Sequence, residues 1–179
     1  MEFVDAAFLL RAGLIGVLIW VASQVRDSHL RSRERAVSGE AYIRALYAEI
    51  DFNTRDLRLF VDQFDPPRIE AAIRADASLV PHITDARHTQ MYMSRLTEIH
   101  SAGGAVIFDI VDFYGALEKI RTQIEGISAP SYRSISPEGR VQVIRRLRDA
   151  CEDAEHKGRM ILGKLEISHS ALGLARREA

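Results

Sequence analysis

SPEGRVQVIRRLRDACEDAEHKGRMILGKLEISHSALGLA, residues Ser136–Ala175, decides the fold. Ile144, Leu147, Cys151, Ala154, Gly158, Ile161, Leu165, Ser168, Leu172 and Ala175 recur at alternating spacings of three and four. That is the period of a helix packing along one face. Ser136, Pro137 and Glu138 read as its N-cap, N1 and N2, where a hydroxyl, a pyrrolidine ring and an acid each suit the free amides of the first turn. The stretch therefore predicts a long, coiled-coil-like C-terminal helix. Cys151, Ala154 and Gly158 put small side chains at the middle of the seam, which predicts close approach of another helix. With Ile161 and Leu165 they form the candidate interaction seam.

Working back from that helix, Ser128–Ser136 (SAPSYRSIS) reads as a flexible loop. Before it, Val106, Ile107, Ile110, Val111, Phe113, Tyr114, Leu117, Ile120, Ile124 and Ile127 make a wide apolar stripe, predicting the most buried helix. Gly103-Gly104 separates it from a helix expected from an N-cap at Thr84 through Met91, Met93, Leu96 and Ile99, and so short a turn predicts antiparallel packing of the two. Pro67 fits the N1 position of a short helix reaching about Ala77. The first soluble helix is expected from Ser38 to Phe64, with Ile43, Leu46, Tyr47, Ile50, Leu57, Phe60, Val61 and Phe64 on one face, and Pro66-Pro67 ends it. Asn53 interrupts that face and is expected to bond a neighbouring backbone group; fixing helix register is the alternative.

The N-terminal end has a different character. Ala6–Val25, AAFLLRAGLIGVLIWVASQV, is twenty residues with one charge. At about 1.5 Å per residue it is long enough for a hydrocarbon layer of roughly 30 Å. Arg11 lies near one end and can snorkel beside Asp5. Glu2 and Asp5 replace the basic residues that open a signal peptide, so the segment is expected to remain as an anchor. Arg26, Arg31, Arg33 and Arg35 form a basic membrane flank and place that end in the cytoplasm, with the N-terminus out. The expected organisation is an anchor over 1–25, a juxtamembrane segment over 26–37 and a cytoplasmic helical domain over 38–179. The fold class is all-α: a transmembrane helix followed by an antiparallel helical bundle. The general pattern resembles that of small bacterial anchored proteins with a helical domain.

Composition narrows the function. The 179 residues carry 24 Lys and Arg against 25 Asp and Glu, a net charge of -1, which disfavours nucleic acid as a partner. With 47% hydrophobic residues the chain can bury a core. One cysteine, Cys151, excludes an internal disulfide framework and a cysteine-based zinc site, and fits a reducing compartment. Cys151 has no His at i±3 or i±4 to activate it and reads as a small core residue.

The sharpest chemical idea is a carboxylate-bridged metal site. Asp85-x-x-His88 and Asp153-x-x-His156 lie on different expected helices, and Glu49 and Asp109 could complete the set. The phase of the last helix turns Asp153 and His156 away from the seam, so solvated faces are the preferred reading. His100 reads as a helix-end cap and the Arg145, Arg146, Arg148 cluster as a solvated face. No catalytic residue, cofactor or metal is assigned. The expected function is a non-enzymatic interaction or scaffold module on the membrane, with a protein partner or a second copy of itself. A signalling or stress relay and a metal-bundle enzyme are the alternatives.

Overall fold

The computed structural model describes residues 37–175 apart from 77, 84 and 86. The chain divides into two compact units, Met1–Ala41 and Tyr42–Ala179. The anchor at Ala6–Val25, Arg11 and the flank Arg26, Arg31, Arg33 and Arg35 lie outside the described residues. Among the described residues no helix is long and apolar enough to cross a membrane.

The architecture is all-helical, with no strand among the described residues. Helix α1 covers 37–63, α2 Pro66–Ala75, α3 Gln90–Ser94, α4 Gly104–Ser128 and α5 Pro137–Ser168, with a 3-10 segment Leu96–Ala102 leading into α4 and another, Pro130–Ser134, between α4 and α5. Three long helices form the bundle. Tyr47 donates to Glu166 at 2.6 Å near one end of the α1–α5 pair, and Thr54 lies against Gly158 further along it, so α1 and α5 run antiparallel. Lys164 meets Asp109 at 2.6 Å while Phe113 lies by Gly158, so α4 and α5 are also antiparallel. It follows that α1 and α4 run in the same direction. The segment between them must travel back along the bundle, and it supplies α2 and α3 on the way.

Each long helix arises from its apolar period. Tyr42, Ile43, Leu46, Tyr47, Ile50 and Leu57 are buried on α1, and Val106, Ile110, Phe113, Tyr114, Leu117, Ile120 and Ile127 on α4. On α5 the seam residues Ile144, Leu147, Cys151, Ala154, Gly158, Ile161 and Leu165 are all buried. The Ser136 hydroxyl caps that helix by accepting from the Gly139 amide at 3.1 Å.

Several sequence expectations change. The second helix starts at Pro66 rather than Pro67, because the Asp65 side chain accepts from the Arg68 amide and so takes the cap position. The last helix stops at Ser168; Leu172 falls in a short 3-10 turn closed by Gly173, and Ala175 has no regular structure, so the seam ends at Leu165. The Ser-rich connection is anchored: Tyr132 is buried at its centre, its ring faces the Arg140 guanidinium, and Arg140, itself only 1% exposed, donates to the Leu79 carbonyl at 3.2 Å. Helix α4 leaves Phe108 and Val111 outward, and more residues of α5 than of α4 are buried.

The helix expected from Thr84 is also absent as such. Thr84 itself lies outside the described residues, but Asp85 and Arg87 to Thr89 are not helical, and the chain enters α3 only at Gln90. Gly103, with φ of 87°, then makes the sharp turn into α4, a conformation that a residue with a Cβ rarely adopts. The antiparallel pair expected across this turn is therefore replaced by α3 and a 3-10 segment.

Of the described glycines, Gly158 is the most tightly covered. A Cβ placed there would overlap the Thr54 hydroxyl and stand 3.1 Å from the Phe113 ring. Gly158→Ala is expected to destabilise the fold by about 1 to 3 kcal/mol through overpacking. In denaturant titrations, adding Thr54→Ala should recover part of that loss, and strict additivity of the two changes would show that α1 and α5 do not meet there.

Candidate functional site

Two polar residues stand one turn apart on the buried face of α1. Glu49 accepts from the amides of Met91 at 2.7 Å and Tyr92 at 3.1 Å and from the Tyr114 hydroxyl at 2.6 Å. Met91 and Tyr92 are at the second and third positions of α3, so a carboxylate from another helix does the work of an N-cap, complementing the positive end of the α3 dipole. Asn53 grips the preceding residue at both ends: its side-chain nitrogen donates to the His88 carbonyl at 2.6 Å, and its oxygen accepts from the His88 amide at 2.7 Å. This is the pairing that one peptide group offers another. It satisfies the backbone of His88 without a helix, which is why the chain stays irregular to Thr89.

Around this clamp lies a cluster of tyrosines. Tyr92 stacks on Tyr114 with ring centroids 3.9 Å apart, and the Arg95 guanidinium lies over the Tyr42 ring at 5.6 Å. Burial, reinforced by the Glu49 hydrogen bond, holds the Tyr114 phenol far above its ordinary range. Burial also lifts Tyr42, together with the negative charge of Glu98, to about 12. Both hydroxyls stay protonated at neutral pH, so this cluster presents donors and no anionic phenolate.

Immediately beyond Asn53 the bundle opens into a narrow pocket of about 70 Å³. Four segments build it: Asn53, Asp56, Leu57 and Phe60 from α1, Ile83, Asp85 and Arg87 from the connection, Leu117, Ile120 and Ile124 from α4, and Leu147 and Cys151 from α5. The floor is aliphatic and the rim is charged. Arg87 pairs with Asp85 at 3.0 Å and reaches across to Glu118, tying the connection to α4. Arg121 also pairs with Glu118 and, with Arg87, holds its carboxyl down at about 2. The half-buried carboxylate of Asp56 has no ion-pair or hydrogen-bond partner among the described residues. Cys151 lies at the floor, where burial pushes the thiol up to about 12, so it is a protonated, weakly nucleophilic group.

The residues singled out in the sequence are dispersed. The seam set Cys151, Ala154, Gly158, Ile161 and Leu165 is buried inside the bundle, with α1 and α4 of the same chain against it at Gly158. Of the metal-site candidates, Glu49 serves α3, Asp85 pairs with Arg87, and the His88 ring lies edge-on to Phe52 at 4.2 Å. Asp109 pairs with Lys164, Asp153 with Lys157 at 2.8 Å, and His156 is exposed on the outer face of α5. No group of three or more metal-binding side chains comes together among the described residues. His100 bonds the Thr97 carbonyl at 2.9 Å near the end of its 3-10 segment, and Arg145 pairs with Glu70 of α2. Sequence reading missed Asp56, Tyr42, Arg140 and the joint hold of Glu49 and Asn53 on the segment at 88–92. The last had a signal, since two polar groups at i and i+4 on an apolar stripe each need a buried hydrogen-bond partner.

No family model, curated protein or solved structure matches the chain.

The clamp makes a direct forecast. Asn53→Ala strands the amide and carbonyl of His88 and is expected to cost about 1 to 3 kcal/mol. Hydrogen exchange should accelerate at His88, Met91 and Tyr92 before the rest of the bundle, and uniform acceleration along the chain would show that the segment is held by other means.

Proposed function

We propose that this chain is a membrane-anchored helical protein-interaction module, without catalysis of its own, that associates through the outward face of α4. The observation that carries the reading is a second stripe, distinct from the buried seam. Gly104, Phe108, Val111 and Gly115 follow one another at spacings of four, three and four and are all exposed, Phe108 at 81% and Val111 at 44%. None of the four is charged, and a Cβ built on either glycine would meet nothing within 4 Å. A coiled-coil period facing solvent is a surface suited to another helix.

A second copy of the chain fits that stripe best. Two α4 helices laid antiparallel set Phe108 of each over Gly115 of the other, an isologous contact in which the ring fills the space that the missing side chain leaves. The predicted anchor at Ala6–Val25 supports a membrane location, and the arginines after it support a cytoplasmic bundle with the N-terminus outside. A relay role at the membrane is the second reading. It is favoured by α1, which carries both clamp residues, so that any shift of this helix is passed to the segment at 88–92.

Phe108→Glu in the full chain, solubilised in mild detergent, should halve the protein mass measured by light scattering while leaving helical circular dichroism and melting temperature unchanged. A wild-type chain already monomeric under those conditions overturns self-association through α4. For orientation, a C-terminal reporter that functions only outside the cytoplasm should stay silent, and strong activity would reverse the topology.

A further inference from the structure

We infer that the pocket between α1, α4, α5 and the residues Ile83, Asp85 and Arg87 is a binding site for a small apolar amine, whose ammonium group pairs with Asp56. Three independent observations meet here. The pocket penetrates to the core: Leu57, Leu117, Leu147 and Cys151, all buried, form its inner wall. An aliphatic wall of this kind offers no hydrogen bond to the body of a ligand and selects an apolar one. The space is too small for a ring and favours a short alkyl chain.

The charge of the head group follows from the rim. Three charged side chains line the mouth, Asp56, Asp85 and Arg87, and two of them are matched: Arg87 binds Asp85 and also reaches Glu118, which Arg121 binds in turn. Asp56 is left over. Its neighbours one turn away on α1 are Phe52 and Phe60, so its own helix brings no cation to it, whereas Asp51 and Asp62 on the same helix pair with Arg55 and Arg58. A half-buried carboxylate beside an apolar slot attracts a cation and repels an anion, and the low-dielectric wall strengthens both effects. An amine with an apolar body satisfies the slot and the carboxylate together, whereas a neutral ligand leaves Asp56 unpaired and a carboxylate ligand sets two like charges side by side.

The site is separate from the α4 stripe, because Leu117, Ile120 and Ile124 face the bundle whereas Phe108 and Val111 face solvent. Binding here is therefore tested independently of self-association. The full chain in lipid nanodiscs is titrated with butylamine, butanol and butanoate, which share a short chain and differ in charge. Amide chemical shifts at Leu57, Ile83 and Ile120 report occupancy, and the rate of alkylation at the sole cysteine reports whether the floor is covered. The amine is expected to bind at least tenfold more tightly than the carboxylate, about 1.4 kcal/mol, and to slow alkylation of Cys151. In Asp56→Asn, with unchanged circular dichroism, the preference for the amine over the alcohol should vanish. Equal affinity for the three probes, an amine preference that survives Asp56→Asn, or no response at the pocket residues to any probe would each overturn the assignment.

Discussion

Glu49 and Asn53 place three carboxylate hydrogen bonds and one peptide-like pairing on a helix face that is otherwise apolar, and the connection from α2 to α4 takes its form from them. A carboxylate buried without donors costs several kcal/mol, so this core admits only conformations that deliver the Met91 and Tyr92 amides and the Tyr114 hydroxyl to one place. Helix α3 is five residues long and has no stability of its own, since a single turn does not repay helix nucleation. It exists because Glu49 supplies its missing cap. Once it is in place, Tyr92 lies on Tyr114, and Arg87 just upstream reaches Glu118, so one wall of the pocket depends on two residues of α1.

Helical period made the three long helices legible, because each buries a stripe whose spacing needs no knowledge of what covers it. The stops were legible for the same local reasons: two prolines after α1, a positive-φ glycine before α4, a serine cap before α5. What could not be read was the stretch from Leu79 to Ala102. Its backbone partners are side chains of α1 some 35 to 43 positions earlier, and a local propensity for helix between Thr84 and Gly103 is overridden by them. The Ser-rich connection failed in the same way. Tyr132 is one aromatic among small polar residues, and only the approach of Arg140 and Leu79 makes it an anchor.

Spacing alone also could not say which of two coiled-coil-like stripes is consumed by the fold. On α5 the small residues are filled in from outside: Thr54 and Phe113 occupy the room that Gly158 leaves, and the seam becomes the bundle interior. On α4 the apolar character runs nearly round the helix, because one side must meet α1 and α5 while Phe108 and Val111 remain on the other. A wide stripe thus signals burial on average and conceals an exposed edge. That edge is visible only after the helix has been assigned its neighbours.

The pocket shows why a site of this kind leaves no motif. Its lining comes from four segments spread between Asn53 and Cys151, and each lining residue is accounted for separately as core, rim or loop. Asp56 looks like any helix-surface acid until the pairs around the pocket are assigned and, among the described residues, it is left without a cation. Asn53 then acquires a second meaning, for the residue that holds His88 also borders the pocket. A group seated in the slot meets the clamp directly. The connection it leans against at Ile83, Asp85 and Arg87 is tied down at Asn53 on one side and Glu118 on the other, so occupancy and the ordering of that connection draw on the same few contacts.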